Sequence, residues 1–179
     1  MTQIGNVYGE ALYQLAAEEG ITQTILEQLQ ILDQCFSQDA DFLRLLSLPN
    51  ISKQERCQIL DHSFQAILHP YVLNFLKLLS EKGYTMRFSD CYKVYRDHYN
   101  LDNGILPVAA VTAIPLTDSQ QKKLSEKLSN LTGKTIELEN PVDATVLGGI
   151  RLEYGGTQLD NTIAHRLDAI GNLLKNTVL

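Results

Sequence analysis

A few residue groups in this chain could do chemistry if their spacing allowed it. Thr132-Gly133-Lys134-Thr135 has the ending of a phosphate-binding loop, whose backbone amides and lysine cradle phosphate oxygens. Such a loop needs a glycine five residues before its Gly-Lys pair, between a strand and a helix. Here that position is Leu128, and the pattern runs helix then strand. Gly148-Gly149 and Gly155-Gly156 bracket a strand pattern without the Gly-x-Gly-x-x-Gly spacing that admits a pyrophosphate, so they read as a bulge and a turn. His62, His69, His98 and His165 are scattered, and none sits in a nucleophile–base motif. Cys91 and His98 lie seven apart on one predicted helix and could share a face, but a core thiol and a surface imidazole are the simpler reading. Asp97-His98 lacks the further ligands a metal needs, and the adjacent Asp61-His62 point in different directions on a helix. Glu137, Glu139 and Glu153 could suggest an acid/base pair, but strand alternation turns them outward. No catalytic, metal or cofactor site is expected.

What remains is surface for partners. Tyr71 to Leu79 reads Tyr-Val-Leu-Asn-Phe-Leu-Lys-Leu-Leu, apolar on nearly every side, whereas a helix at the edge of a small bundle needs one apolar stripe. This segment is either the central helix of the bundle or one wall of a groove, shared with the first helix, that accepts an amphipathic helix. Tyr8 and Ala11 suit such a groove, an aromatic anchor beside a small residue that permits close approach.

The elements that would position these residues follow from periodicity. Ile4, Val7, Tyr8, Ala11, Leu12, Leu15 and Ala16 step by three and four until Gly20. A second helix follows Thr22 as N-cap, with Ile25, Leu26, Leu29, Leu32 and Phe36, and a short third carries Phe42, Leu45 and Leu46 before Pro49. Ser52 and Glu55 form a capping box for the fourth, Pro70 opens the fifth and Gly83 closes it, and a sixth runs from about Phe88 to Asn100. After Gly104 the pattern becomes β-rich. Ile105 to Ile114 predicts a largely buried strand; Thr117 and Gln120 cap a helix carrying Leu124, Leu128 and Leu131, which Gly133 ends. Ile136 to Glu139 and Ile150 to Tyr154 alternate as half-buried strands, Gly155-Gly156 turns into Thr157 to Leu159, and Asp160 or Asn161 caps a last helix with Ile163, Leu167, Ile170 and Leu174 inward. The expected fold is α+β: an N-terminal six-helix bundle over 1–104 and a small C-terminal α/β domain over 105–179 with a short mixed sheet.

Composition bounds the function. The 179 residues are 44% hydrophobic and 20% charged, with net charge −6, which opposes a nucleic-acid surface. Residues 1–104 hold eight basic and thirteen acidic side chains, and residues 105–179 seven and eight, so the acidity is mostly helical. The longest apolar stretch, 105–114, falls short of the ~18 residues of a membrane span, and a soluble chain is expected. Three widely spaced cysteines, Cys35, Cys57 and Cys91, suit reduced thiols. The opening Met-Thr-Gln-Ile-Gly-Asn has no basic cluster before an apolar core, and no arginine precedes Arg44, so no targeting segment is expected.

Ile136-x-Leu138-x-x-x-Val142-Asp143-x-x-Val146-x-Gly148-Gly149-Ile150-x-Leu152-Glu153-x-Gly155 resembles the signature of the delta subunit of F-type ATP synthase, homologous to the mitochondrial oligomycin-sensitivity-conferring protein. Thr112 to Thr117, Leu131 to Lys134, Asp160 and Arg166-Leu167 are similar to the family on either side, and Tyr8-Gly9-Glu10-Ala11-Leu12 resembles its Tyr-Ala-x-Ala-Leu opening. The chain departs from the usual pattern at Ala144, Gly156, Asn161-Thr162 and Ala164.

The resemblance implies a peripheral-stalk (stator) protein without catalytic activity or cofactor. Its N-terminal domain would grip the N-terminal helix of an alpha subunit, and its C-terminal domain the C-terminal region of subunit b, so that ion flow couples to ATP synthesis. It would act as a monomer within the complex, peripheral at the cytoplasmic face of a bacterial cell membrane, without membrane insertion or nucleic acid. The family's groove falls on Tyr8, Ala11 and Leu78; subunit b is assigned to the C-terminal domain, including Leu173 and Leu174; Asp143, Gly148, Gly149, Gly155 and Asp160 carry the structural signature. The alternative is a cytosolic helical adaptor for an unrelated amphipathic helix.

Overall fold

The computed structural model describes residues 2–160 apart from 40, 49 and 147. Its helices are α1 (Gln3–Glu18), α2 (Thr22–Gln38), α3 (Asp41–Leu45), α4 (Lys53–Phe64), α5 (Pro70–Glu81), α6 (Phe88–Asp102) and α7 (Asp118–Thr132), and its strands β1 (Ile105–Thr112), β2 (Thr135–Glu139), β3 (Ile150–Tyr154) and β4 (Thr157–Asp160). The architecture is α+β, a helical N-terminal region followed by a four-stranded mixed sheet. Six of the seven described α-helices precede Gly104, and the seventh lies between β1 and β2. The chain divides into two compact units, Met1–Tyr99 and Asn100–Leu179.

Local chemistry sets most helix ends. Thr2 caps α1 by accepting the Gly5 amide at 3.2 Å, and its hydroxyl donates to Asp90 Oδ2 of α6 at 2.8 Å. Ser52 and Glu55 form the expected capping box of α4, and Pro70 occupies the first turn of α5, where His69 Nδ1 accepts the Tyr71 amide. Thr22 is not an N-cap. It is the first residue of α2, Ile21 precedes it without a side-chain cap, and its carbonyl accepts the Tyr95 hydroxyl at 2.9 Å. That tertiary bond fixes the start of α2 in place of a local one.

The helical core joins Leu12, Tyr13 and Ala16 of α1 with Ile25, Leu29 and Leu32 of α2, Val72, Phe75, Leu76 and Leu79 of α5, and Phe88, Tyr92 and Tyr95 of α6. The crossing of α1 with α6 is close. A Cβ on Gly9 would lie 2.5 Å from the Cys91 carbonyl oxygen and 2.9 Å from Val94 Cβ, and one on Gly5 2.9 Å from Asp90 Cβ. Glycine is required at residue 9 because a backbone atom occupies the space of a side chain.

In the C-terminal unit the strand order is β2-β1-β3-β4. β1 and β2 are parallel, which requires the crossover through α7, whereas β3 pairs antiparallel with β1 and with β4. Gly155 and Gly156, at φ 53° and 78°, make the turn between β3 and β4. Thr117 and Gln120 cap α7, and Gly133 ends it at φ 68°. Asn140 buttresses the end of β1: its Nδ2 donates to the Ala110 carbonyl and Thr112 Oγ1, and its Oδ1 accepts the Leu116 amide. These bonds bend the chain at Thr112, so β1 ends two residues before the expected Ile114. Glu137, Glu139 and Glu153 are exposed, as alternation requires. Leu131 is 83% exposed and no described residue of α7 is fully buried, so only Leu124 and Leu128 of the expected stripe are partly covered. The expected last helix lies outside the described residues.

Two outcomes follow from these contacts. Helix propensity favours alanine over glycine by about 1 kcal/mol, but overpacking a tight contact costs about 1–3 kcal/mol. Gly9→Ala is therefore expected to lower stability by about 1 kcal/mol net in urea denaturation; an unchanged or raised midpoint would mean that α1 and α6 part without cost. The Glu55 carboxyl is held below its ordinary range by hydrogen bonds from the backbone and then the side chain of Ser52. A carboxyl lowered in the folded state adds stability above its unfolded pKa and loses it as pH falls through the folded value. Glu55→Gln should melt below the wild type at neutral pH and converge with it in acid, and a difference in melting temperature that stays constant into acid would refute the cap's ionic contribution.

Candidate partner-binding site

α1 and α5 run antiparallel. The Tyr8 ring near the start of α1 meets Tyr84, just beyond α5, at 5.9 Å between centroids, and Tyr71 at the start of α5 feels the negative charge of Glu19 at the end of α1. Between them lies an open groove of about 330 Å³. Tyr8, Ala11, Leu12 and Leu15 form one wall and Tyr71, Asn74, Phe75 and Leu78 the other, each set spaced by three and four so that it makes one stripe along its helix.

The floor and the rim differ in burial. Leu12 and Phe75 are buried, whereas Leu15 and Leu78 are each 39% exposed. Leu78 projects outward while its chain neighbour Leu79 is fully buried, as the ~100° rotation per helical residue requires. Asn74 and the two tyrosine hydroxyls are the polar groups of the lining. Tyr71 is raised above its ordinary pKa, mainly by the negative charge of Glu19 and then by loss of hydration.

The structure thus brings Tyr8, Ala11 and Leu78 together in one groove. Leu15, Asn74 and Tyr71 complete it, and the sequence marked them only as parts of apolar helices; the heptad-like spacing of Tyr8 and Leu15 was the available signal. The signature residues serve a turn and a hairpin. Asp143 Oδ1 accepts the Thr145 amide and hydroxyl at 2.9 and 2.6 Å, and these bonds, with Arg151 nearby, hold its carboxyl below the ordinary range. Gly148 is extended, Gly149 has φ 88°, Gly155 turns the hairpin, and Asp160 of β4 stands opposite Arg151 of β3. Leu173 and Leu174 lie outside the described residues.

The residues that suggested chemistry are engaged elsewhere. Gly133 is a helix C-cap, with Thr132 Oγ1 donating to the Leu128 carbonyl and Ser129 Oγ to that of Lys134. Burial, chiefly, pushes the Cys91 thiol up to about 11, the wrong direction for a nucleophile at neutral pH. His98 stacks on Tyr13 at 5.5 Å and His62 Nδ1 meets the Gln58 carbonyl. Among the described residues no three His, Cys, Asp or Glu side chains gather as a metal site, and no helix is long and apolar enough to cross a membrane.

Residues 4–174 match the family model of the ATP synthase delta (OSCP) subunit. The chain belongs to that family. It is 33% identical over 176 residues to the ATP synthase subunit delta of Clostridioides difficile, covering 98% of this chain and 97% of that one. It is 30% identical over 172 residues to that of Alkaliphilus metalliredigens, with 96% of both chains covered, and 29% identical over 170 residues to that of Synechococcus elongatus, with 94% of both. A chain in the cryo-EM structure of the Toxoplasma gondii mitochondrial ATP synthase hexamer has the same fold, with TM-score 0.76 and 18% identity over 97% of this chain and 98% of that one. The delta (OSCP) family is a structural subunit of the ATP synthase peripheral stalk and is not catalytic. A groove of apolar side chains without convergent ionisable groups accords with that role.

The two leucines at positions 78 and 79 separate rim from core. In urea denaturation, Leu78→Asp is expected to cost about 1 kcal/mol and Leu79→Asp about 4 kcal/mol or more. Equal losses would place Leu78 in the core and remove it from the groove.

Proposed function

We propose that this delta-family chain is the stator link between the catalytic head of the synthase and its membrane sector. The N-terminal domain, residues 1–104, grips the N-terminal helix of an alpha subunit in the groove between α1 and α5, with Tyr8, Ala11 and Leu78 in contact. The C-terminal domain, residues 105–179, binds the C-terminal region of subunit b, with Leu173 and Leu174 among its contacts. The protein works as a monomer within the complex, peripheral at the cytoplasmic face of a bacterial membrane.

The observation that carries this reading is the groove itself. Its walls are apolar stripes at helical spacing, and Leu15 and Leu78 on its rim remain substantially exposed. An amphipathic helix laid there would bury them through anchors at i, i+3, i+4 and i+7. Torque from the rotating shaft acts on the head, so the link functions by affinity alone.

A tagged chain pulled down in mild detergent from native membranes is expected to bring alpha, beta and b subunits in constant proportion. Leu78→Asp should lose alpha and beta while retaining b. Recovery of an unrelated protein by the wild-type chain would overturn the stator reading in favour of the adaptor.

A further inference from the structure

Asn103 is the one asparagine in the chain that glycine follows. The pair Asn103-Gly104 forms the turn between the end of α6 at Asp102 and the start of β1 at Ile105. Asn103 is exposed. Gly104 holds φ 62°, and no other group lies within 4 Å of where its Cβ would stand. The Gly104 amide donates back to the Leu101 carbonyl at 3.3 Å, a long N–H···O bond in the last turn of a helix, where local opening takes least energy. The Gly104 carbonyl is held more firmly: it accepts the Thr135 amide at 2.9 Å, where β1 begins to pair with β2.

An asparagine in this setting can react with its own backbone. The Asn103 Cγ and the Gly104 nitrogen belong to one short stretch of chain, so closing a five-membered imide is intramolecular and has a high effective concentration. The side chain of the following residue ordinarily hinders that closure, and glycine has none. The Gly104 nitrogen gives its proton to water and attacks Cγ; the Cγ–Nδ2 bond breaks, and ammonia leaves after taking up a proton. Water then opens the ring. Opening at Cγ leaves aspartate, and opening at the main-chain carbonyl leaves isoaspartate, whose backbone runs through Cγ. One water is consumed and one ammonia released, with no oxidation or reduction.

We propose that Asn103 is a self-modifying site, converting to aspartate and isoaspartate as the protein ages and loosening the junction of α6 with the sheet. Either product adds a negative charge beside Asp102, at the end of α6 that backbone dipoles already make negative. Isoaspartate also lengthens the main chain by one methylene just before the carbonyl that anchors the start of β2. Other described asparagines lack the combination. Asn50 is exposed in a turn but precedes Ile51, Asn130 is exposed but lies within α7 before Leu131, and Asn140 precedes Pro141, whose nitrogen has no proton to give. The site is independent of the groove between α1 and α5.

The test keeps the full chain folded at a pH slightly above neutral for several weeks, beside a second sample held in urea, and follows both by peptide mass spectrometry. The peptide carrying Asn103 is expected to gain the mass of NH replaced by O, in two chromatographic forms, ahead of the peptides carrying Asn50 and Asn130. The aged chain, separated from the fresh one by its added charge on anion exchange, should melt at a lower temperature. Asn103→Gln, whose longer side chain must close a six-membered ring, should keep its mass and its melting temperature over the same period. Asn103 intact in the folded sample while the urea sample converts would show that the turn protects it and overturn the proposal. Equal conversion at Asn50 or Asn130 would remove the role of Gly104 and overturn it as well. Aged chain that carries the new mass but melts with the fresh chain would overturn the loosening of the junction.

Discussion

α1 touches α6 through bare backbone. At Gly9 the carbonyl of Cys91 stands where a side chain would begin, and this contact fixes the rotation of α1 about its own axis. With Gly5 and Gly9 turned to α6, the same helical period turns Leu12, Tyr13 and Ala16 into the core and leaves Tyr8, Ala11 and Leu15 as a separate stripe facing α5. A wider crossing would let α1 roll, and the stripe would move out of register with Tyr71, Asn74 and Leu78. The groove is thus the consequence of packing on the far side of the helix.

α5 completes the arrangement by serving two faces. Val72, Leu76 and Leu79 are buried in the helical core, and the ion pair between Lys77 and Asp61 of α4, at 2.5 Å, secures the side away from the groove. Leu78 and Tyr71 are left with incomplete cover. A monomeric protein tolerates such apolar exposure at some cost, and its concentration beside a small residue and two tyrosine rings is the feature on which the docking proposal rests. The buried thiol and capped turns that resemble reactive motifs are parts of the scaffold.

The sequence by itself determined the elements, because helix ends obey chemistry within a few residues: the Ser52/Glu55 and Thr117/Gln120 boxes, Pro70 at the start of α5 and Gly133 at the end of α7 all act locally. Strand alternation likewise placed Glu137, Glu139 and Glu153 on the outside, since a period of two is built into the pleat. The helices that wall the groove, with Tyr8 and Ala11, were legible from one apolar stripe and one helix with too many apolar faces, whereas Leu78 was implied by the family resemblance. Tertiary structure decided what depended on distant residues. Thr22 has the residue type of a cap, but its carbonyl is claimed by Tyr95, 73 positions away; β1 stops early because Asn140 binds its end; Leu131 matches the stripe of α7 and finds nothing to cover it. The close approach at Gly9, the meeting of Tyr8 with Tyr84 and the joining of two stripes into one groove require knowing which helices are neighbours, and that is fixed by the packing of the whole core rather than by any local segment.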